Sequence, residues 1–198
     1  QSAFPLESIV FEIPIVQQIV TPFGGVLGGG NYNQDNKPRN GANWVRYYQN
    51  VMKSLVSVLD ATKEDANRTN LYNQARIMRA FASMVLTDSY GDVPYSEAGN
   101  GFISGVALPK YDSQESIYTD VLKELEEASA ALDATKPLVT SDVLYAGNIA
   151  SWKAFGYSLM LRAAMRLSKV SPATAQQYVV KAVAGGVIQS NAGSAVIR

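Results

Sequence analysis

Cysteine and histidine are both absent from the 198 residues of this chain. Without cysteine there is no disulfide, no thiolate nucleophile and no cysteine-ligated zinc. Without histidine there is no Ser-His-Asp triad and no imidazole ligand for a metal. These absences exclude the commonest catalytic and metal-binding arrangements, so we expect no catalytic residue, no metal site and no cofactor.

An excess of positive charge is also missing, because 17 Lys and Arg residues balance 17 Asp and Glu residues. Binding to nucleic acid usually requires a basic surface, so no nucleic-acid partner is expected. Long apolar runs are lacking as well. The run from Ile13 to Val20 is broken by Pro14, Gln17 and Gln18 and is far shorter than the roughly 18 residues of a membrane-spanning helix. The sequence therefore predicts no transmembrane helix.

Five amphipathic helices are predicted from apolar residues that recur at steps of three and four. The first is expected from Asn43 to about Thr62, and the second is expected to have Asn70 as its N-cap. The fourth is expected over about residues 148–168. The fifth should begin at Ser171-Pro172, a cap followed by proline, and end at Gly185-Gly186.

The segment between the second and third helices carries a stop signal and a start signal. Gly91 can adopt the left-handed conformation that often ends a helix, and Pro94 prevents the helix from resuming. Asp112 followed by Glu115 has the spacing of a capping box and predicts the start of the third helix. We therefore assign Gly91, Pro94 and Asp112 structural roles.

The fold class predicted is mostly α, with tetratricopeptide-like helical hairpins and irregular loops. Short connections indicate that helix one pairs with two, three with a short partner, and four with five, stacked as a right-handed superhelix. We expect one domain over residues 1–198. Within it, residues 1–42 are predicted to be loop-rich, 43–184 to form the helical scaffold and 185–198 to be an exit segment.

Asp88 and Asp92 allow two interpretations. A pair of carboxylates can hydrolyse glycosides, but carboxylates near a helix end more often shape a turn or pair with arginine. Arg162 and Arg166 are four residues apart on an otherwise apolar helix, and a buried guanidinium needs an anion. We favour structural roles for these four residues. The loop also lacks the ligand spacing of a calcium-binding EF-hand.

Several motifs occur together in one order along the chain. They are the segments 75–82, 87–95, 109–118, 145–148, 152–168 and 190–192. Together they resemble the SusD/RagB family, in its SusD-like branch, across about residues 43–192.

This resemblance implies a surface-exposed outer-membrane lipoprotein of Bacteroidota that covers a TonB-dependent SusC-like transporter. Such proteins bind oligosaccharides, or in some cases peptides, without cleaving them. Family members are longer and carry a lipid-attachment cysteine and a second, loop-rich half. Neither is found in these residues, so we expect this chain to be part of a longer one. A purely protein-binding helical scaffold and a carboxylate-dependent glycosidase remain the alternatives.

Aromatic residues on loops are the natural candidates for sugar binding, because a pyranose face stacks on an aromatic ring while amides and carboxylates bind its hydroxyls. Tyr32, Asn33 and Asp35 provide this mixture before the first helix. Tyr95 and Phe102 follow the second helix and are further candidates. Other aromatic residues occur at helical spacing and are expected in the core, namely Trp44, Tyr48, Trp152 and Phe155.

Overall fold

The computed structural model describes residues 37–197. The candidate ligand residues Tyr32, Asn33 and Asp35 lie outside this range. The chain divides after Asn50 into two compact units, and the cavities and helix contacts given below belong to the second. The helices are α1 (Lys37–Arg46), a π-helical segment (Tyr47–Met52), α2 (Lys53–Thr62), α3 (Thr69–Tyr90), α4 (Gly101–Ser104), α5 (Gln114–Ala131), α6 (Ile149–Arg166) and α7 (Pro172–Gly185). Short 3-10 segments cover Ala66–Arg68 and Asn191–Gly193.

The first helical region starts earlier than predicted. Helix α1 begins at Lys37 rather than at Asn43. Pro38 lies in its first turn, where the missing N–H costs nothing, so this proline does not delay the helix. The predicted end at Thr62 is confirmed. The π-helical segment was not predicted, because its residues follow the same apolar periodicity as an α-helix.

Asn70 is not the N-cap of α3, because the helix begins one residue before it at Thr69. Its side chain is fully buried and serves a distant loop instead. The amide donates to the carbonyls of Asp133 (2.8 Å) and Pro137 (3.0 Å), and its oxygen accepts from the N–H of Asp133 (2.9 Å). Asn70 therefore fixes the chain as it leaves α5.

The end of α3 is as predicted, but the start of α5 is not. Gly91 has a positive φ of 75° and donates its N–H to the carbonyl of Thr87 at 2.9 Å. The N-cap of α5 is Ser113, whose hydroxyl accepts from the N–H of Ser116 at 3.2 Å. Asp112 is therefore not a capping residue, because its carboxylate binds the loop that follows α3.

A short antiparallel pairing connects the two ends of this loop. Strand β1 (Val93–Pro94) pairs with β2 (Tyr111–Asp112), with Pro94 opposite Tyr111. The residues between the strands therefore form a loop whose two ends are paired, and this loop includes α4. Its residues 96–104 form one wall of a cavity against α2 and α3.

The helices pack in chain order, with α2 against α3, α3 against α5, α5 against α6, and α6 against α7. Helix α5 thus lies between α3 and α6, whereas a short partner was predicted for it. It can do so because Ile117, Val121 and Leu125 are fully buried. The predicted mostly α class is confirmed. No helix within residues 37–197 is both long and apolar enough to cross a bilayer.

Asp142 organises the loop between α5 and α6. Its carboxylate accepts from the N–H groups of Leu144 (2.8 Å), Tyr145 (3.0 Å) and Gly147 (3.2 Å) and from the indole of Trp152 (2.7 Å). Burial alone would raise the pKa of Asp142, but these hydrogen bonds outweigh it and lower the pKa. Trp152 is buried, as predicted for a core aromatic residue.

Candidate functional site

A cavity of about 340 Å³ lies between α2, α3 and the segment that contains α4. Its volume is at the lower end of the roughly 300–1,000 Å³ typical of small-molecule sites. Helical spacing places its residues on facing surfaces of α2 and α3, at steps of three and four. The lining residues are Val56, Leu59, Asp60 and Lys63 from α2, Tyr72, Arg76 and Arg79 from α3, Ser96, Ala98, Asn100, Ile103 and Ser104 from the segment that contains α4, and Glu124 from α5.

The wall formed by residues 96–104 approaches α2 very closely at one glycine. Gly99 has a φ of +79°, and a Cβ atom there would lie 3.0 Å from Cγ2 of Val56. Glycine is therefore required for both the backbone conformation and the space. This contact packs the segment that contains α4 against the lining residue Val56 of α2.

Asp112 holds the beginning of the same wall. Its carboxylate accepts from the N–H groups of Tyr95 (3.1 Å) and Ser96 (2.7 Å) and from the hydroxyl of Ser96 (2.9 Å). Partial burial would raise the pKa of Asp112, but the hydrogen bonds from Ser96 and Tyr95 outweigh it and lower the pKa. Asp112 therefore has a structural role, because its carboxylate holds the loop that follows α3 at Tyr95 and Ser96.

Most charges of the cavity are paired within the protein. Arg76 grips Glu124 through two hydrogen bonds of 2.9 Å and reaches Glu127 at 2.6 Å. Lys63 donates to Asp60 at 2.9 Å. The hydrogen bond to Glu124 raises the pKa of Arg76. Burial alone would raise the pKa of Glu124, but the hydrogen bonds and charge of Arg76 outweigh it, so the pKa of Glu124 is lowered. These groups form a fixed polar wall.

Arg79 differs, because no carboxylate of the described residues lies within ion-pair distance of its guanidinium. The guanidinium lies over the ring of Tyr95, 4.8 Å from the ring centroid. The hydroxyl of Tyr95 donates in turn to Asp120 at 2.5 Å. Arg79 therefore packs on the aromatic face of Tyr95 and lines the cavity. Its guanidinium N–H groups form no ion pair with a carboxylate of the described residues, so they can donate hydrogen bonds to a ligand.

The two described ligand candidates have opposite surroundings. Tyr95 is only 5% exposed, so no ring face is open to a sugar, and its contribution is to support Arg79. Phe102 is 89% exposed and lies beside the lining residue Ile103, with Nζ of Lys53 at 5.0 Å from its ring centroid. Only Phe102 retains the geometry of a stacking platform.

Sequence reasoning missed Arg76 and Arg79. The available signal was a pair of arginines three residues apart on α3, which places both on one helix face. The sequence does not reveal that this face meets α2 and residues 96–104, because that contact depends on the packing of three separate segments.

Asp88 and Asp92 are occupied by structural contacts. Asp88 forms an ion pair with Arg166 and accepts from the hydroxyl of Tyr118 at 2.5 Å. Asp92 accepts from the N–H of Gln114 at 2.9 Å. Arg166 thus has the aspartate partner expected for it.

Arg162 does not have the expected partner, since its side chain is exposed and forms no ion pair with any residue in the range 37–197. A larger cavity of about 660 Å³ lies beside Asp88, Tyr118 and Arg166. The polar groups of those three residues bind one another, so the cavity at Arg79 is the better candidate for a ligand site. Within the described residues no cluster of carboxylates has the arrangement of a metal site.

Comparison with a family model and with solved structures relates this chain to SusD-like proteins. Residues 7–198 match the model of a SusD-like family described as starch-binding and associating with the outer membrane. A SusD-like structure from Bacteroidetes AC2a is 36% identical with a TM-score of 0.86, and the match covers 96% of this chain and 35% of that protein. A chitin-binding protein is 33% identical with a TM-score of 0.87, covering 95% of this chain and 40% of that one.

A chitin-binding SusD homologue from Flavobacterium johnsoniae is 34% identical with a TM-score of 0.68, covering 76% of this chain and 32% of that protein. The chain thus spans 32–40% of the length of these structures. A search of curated proteins finds no match.

Proposed function

Because the chain belongs to the SusD-like family, we propose that it is the glycan-capturing part of a cell-surface nutrient-binding protein that delivers oligosaccharides to a SusC-like transporter. The family associates with the outer membrane, and the SusD-like fold predicted from the sequence motifs is confirmed. Capture, delivery and a surface-exposed lipid anchor are the parts that we propose.

The observation that carries the proposal is the cavity between α2 and α3. It combines polar side chains with the guanidinium of Arg79, which has no carboxylate partner among the described residues, and the exposed ring of Phe102 belongs to the same short helix, α4, as the lining residues Ile103 and Ser104. Sugar binding needs this combination of donors for hydroxyl groups and a ring for the C–H face. Two similar structures are described as chitin-binding, which supports a glycan rather than a peptide as the ligand.

We propose that the glycan is held without being cleaved. Hydrolysis would require two carboxylates that face one bond, with one able to donate a proton. In the cavity, Glu124 is bound by Arg76 and Asp60 by Lys63, and outside it Asp88 is bound by Arg166. Although burial alone would raise the pKa of Glu124, the hydrogen bonds and charge of Arg76 outweigh it and lower this pKa, which suits binding rather than acid catalysis.

The test is incubation of the full-length protein with an array of labelled oligosaccharides, followed by chain-length analysis of the retained sugar. Capture predicts that a subset of glycans is retained at its original length. Recovery of shortened products would indicate a glycosidase. Failure to retain any glycan would contradict the proposal and would favour a peptide ligand or a protein-binding scaffold.

A further inference from the structure

We propose that the cavity recognises the acetamido group of an N-acetylated amino sugar, and this inference rests on the glycan-binding function proposed above. An acetamido group has a methyl, which needs an apolar contact, and a carbonyl, which needs a hydrogen-bond donor. The cavity provides both kinds of surface within about 340 Å³.

The apolar contact would come from α2 and the facing segment. Val56 and Leu59 lie one turn apart on α2, while Ala98 and Ile103 belong to residues 96–104. The two groups are brought together where Gly99 closes on Val56. Ile103 remains 44% exposed, so part of this apolar surface is still available to a ligand.

The donor would come from the opposite wall. Arg79 lines the cavity without a carboxylate partner among residues 37–197, and Ser96 and Asn100 add further polar groups. An amide carbonyl is a strong acceptor that satisfies a guanidinium without bringing a charge.

A neutral ligand also fits the electrostatics of the cavity. Arg76 and Lys63 are each paired with carboxylates of the protein, so Arg79 is the one lining cation that has no carboxylate partner among the described residues. A sugar carboxylate bound to Arg79 would also lie near the charge of Glu124, which interacts electrostatically with Arg79, and this repulsion opposes the binding of acidic glycans.

The inference is tested by calorimetric titration of the full-length protein with three tetrasaccharides. Tetra-N-acetylchitotetraose and cellotetraose share a β-1,4-linked glucose backbone and differ only in the acetamido group, while tetragalacturonate carries carboxylates. We expect the acetylated sugar to bind at least about tenfold more tightly than cellotetraose, from the methyl contact and the carbonyl hydrogen bond together.

Equal affinity for the first two sugars would overturn the inference while leaving glycan capture intact. Tightest binding of tetragalacturonate would also overturn it, in favour of a carboxylate on Arg79. Binding of none of the three, together with an empty glycan array, would overturn the proposed function itself.

Two substitutions between β1 and β2 test whether the apolar contact with the acetamido methyl is made inside the cavity. Ile103→Ser removes apolar surface from the cavity and should weaken binding of the acetylated sugar about three- to tenfold, with little change for cellotetraose. Leu108→Ser is the matched control, because Leu108 is 92% exposed and does not line the cavity. An equal loss for both sugars in Ile103→Ser, or the same loss in Leu108→Ser, would contradict the assignment.

Discussion

Arg76 and Arg79 lie one helical turn apart and line the same cavity, yet their surroundings give them different roles. Arg76 is bound by Glu124 and Glu127 and forms part of the wall. Arg79 is supported by the ring of Tyr95 and has no carboxylate partner in the described part of the chain. The difference arises from which residues of α5 each arginine can reach, so residue type alone does not identify the ligand-binding arginine.

The buried amide of Asn70 should be a major local source of stability. Asn70→Ala removes four hydrogen bonds to the chain that follows α5 and leaves the N–H of Asp133 without its partner. We expect a loss of about 2–3 kcal/mol in the free energy of unfolding, measured by urea denaturation. Asn67→Ala is the matched control, since Asn67 is exposed, and should change stability by less than about 0.5 kcal/mol. Equal losses in both variants would argue against this role.

Asp142 should make stability dependent on pH in the acid range. The pKa of its carboxyl is lowered from 3.8 in the folded chain, so the carboxylate stabilises the fold fully above that value and less as pH falls through the folded pKa. Asp142→Asn cannot accept from all four donors and should cost about 1–3 kcal/mol at pH 7. Urea denaturation should show this difference narrowing toward pH 2. A difference that is independent of pH would contradict the assigned role of the charge.

Two predicted helix caps were wrong for the same reason. Asn70 and Asp112 were both expected to cap the helix that follows them, since polar residues near a helix start usually do so. Asn70 instead binds Asp133, and Asp112 binds Tyr95 and Ser96. The true partners are distant in sequence, so local spacing does not reveal them.

Helices α5 and α6 approach each other closely because α6 has a glycine at the contact. A Cβ atom on Gly156 would overlap Oγ of Ser129 and lie 3.1 Å from Cδ1 of Ile77. Gly156→Ala should therefore destabilise the protein by about 1–3 kcal/mol, despite the better helix propensity of alanine. Thermal unfolding or urea denaturation would measure the loss.

Two further variants separate crowding from helix propensity. Adding Ser129→Ala to Gly156→Ala removes the overlapping hydroxyl and should restore part of the stability, although Cβ of Ser129 would remain 3.2 Å away. Gly41→Ala in α1 meets no atom within 4 Å and should be neutral or stabilising. A Gly156→Ala variant as stable as the wild type would show that the helices can separate at little cost.

Helix boundaries were predictable wherever a local signal marks them. The ends near Thr62, Gly91 and Gly185 agree with the structure, because glycine or a change in periodicity is visible in the sequence. The π-helical segment at residues 47–52 and the position of α5 between two helices were not predictable. Both depend on how apolar faces pack against one another.

For the molecule as a whole, sequence motifs predicted the family and the helical class better than they predicted the site. The motifs at 87–95 and 109–118 identified the scaffold because their residues fix turns and helix ends. The cavity was not foreseen, since three separate segments build it. Tyr32, Asn33 and Asp35 remain predictions.

The most direct test of glycan capture at this cavity is calorimetric titration of the full-length protein with the tightest-binding oligosaccharide from the array. Arg79→Gln removes the guanidinium that lines the cavity without a carboxylate partner in the described residues. Arg162→Gln removes the same charge from an exposed residue that does not line the cavity. We expect Arg79→Gln to weaken binding at least about tenfold at unchanged stoichiometry, while the affinity of Arg162→Gln should stay within about twofold of the wild type. Wild-type affinity in a folded Arg79→Gln variant would contradict glycan capture at this cavity.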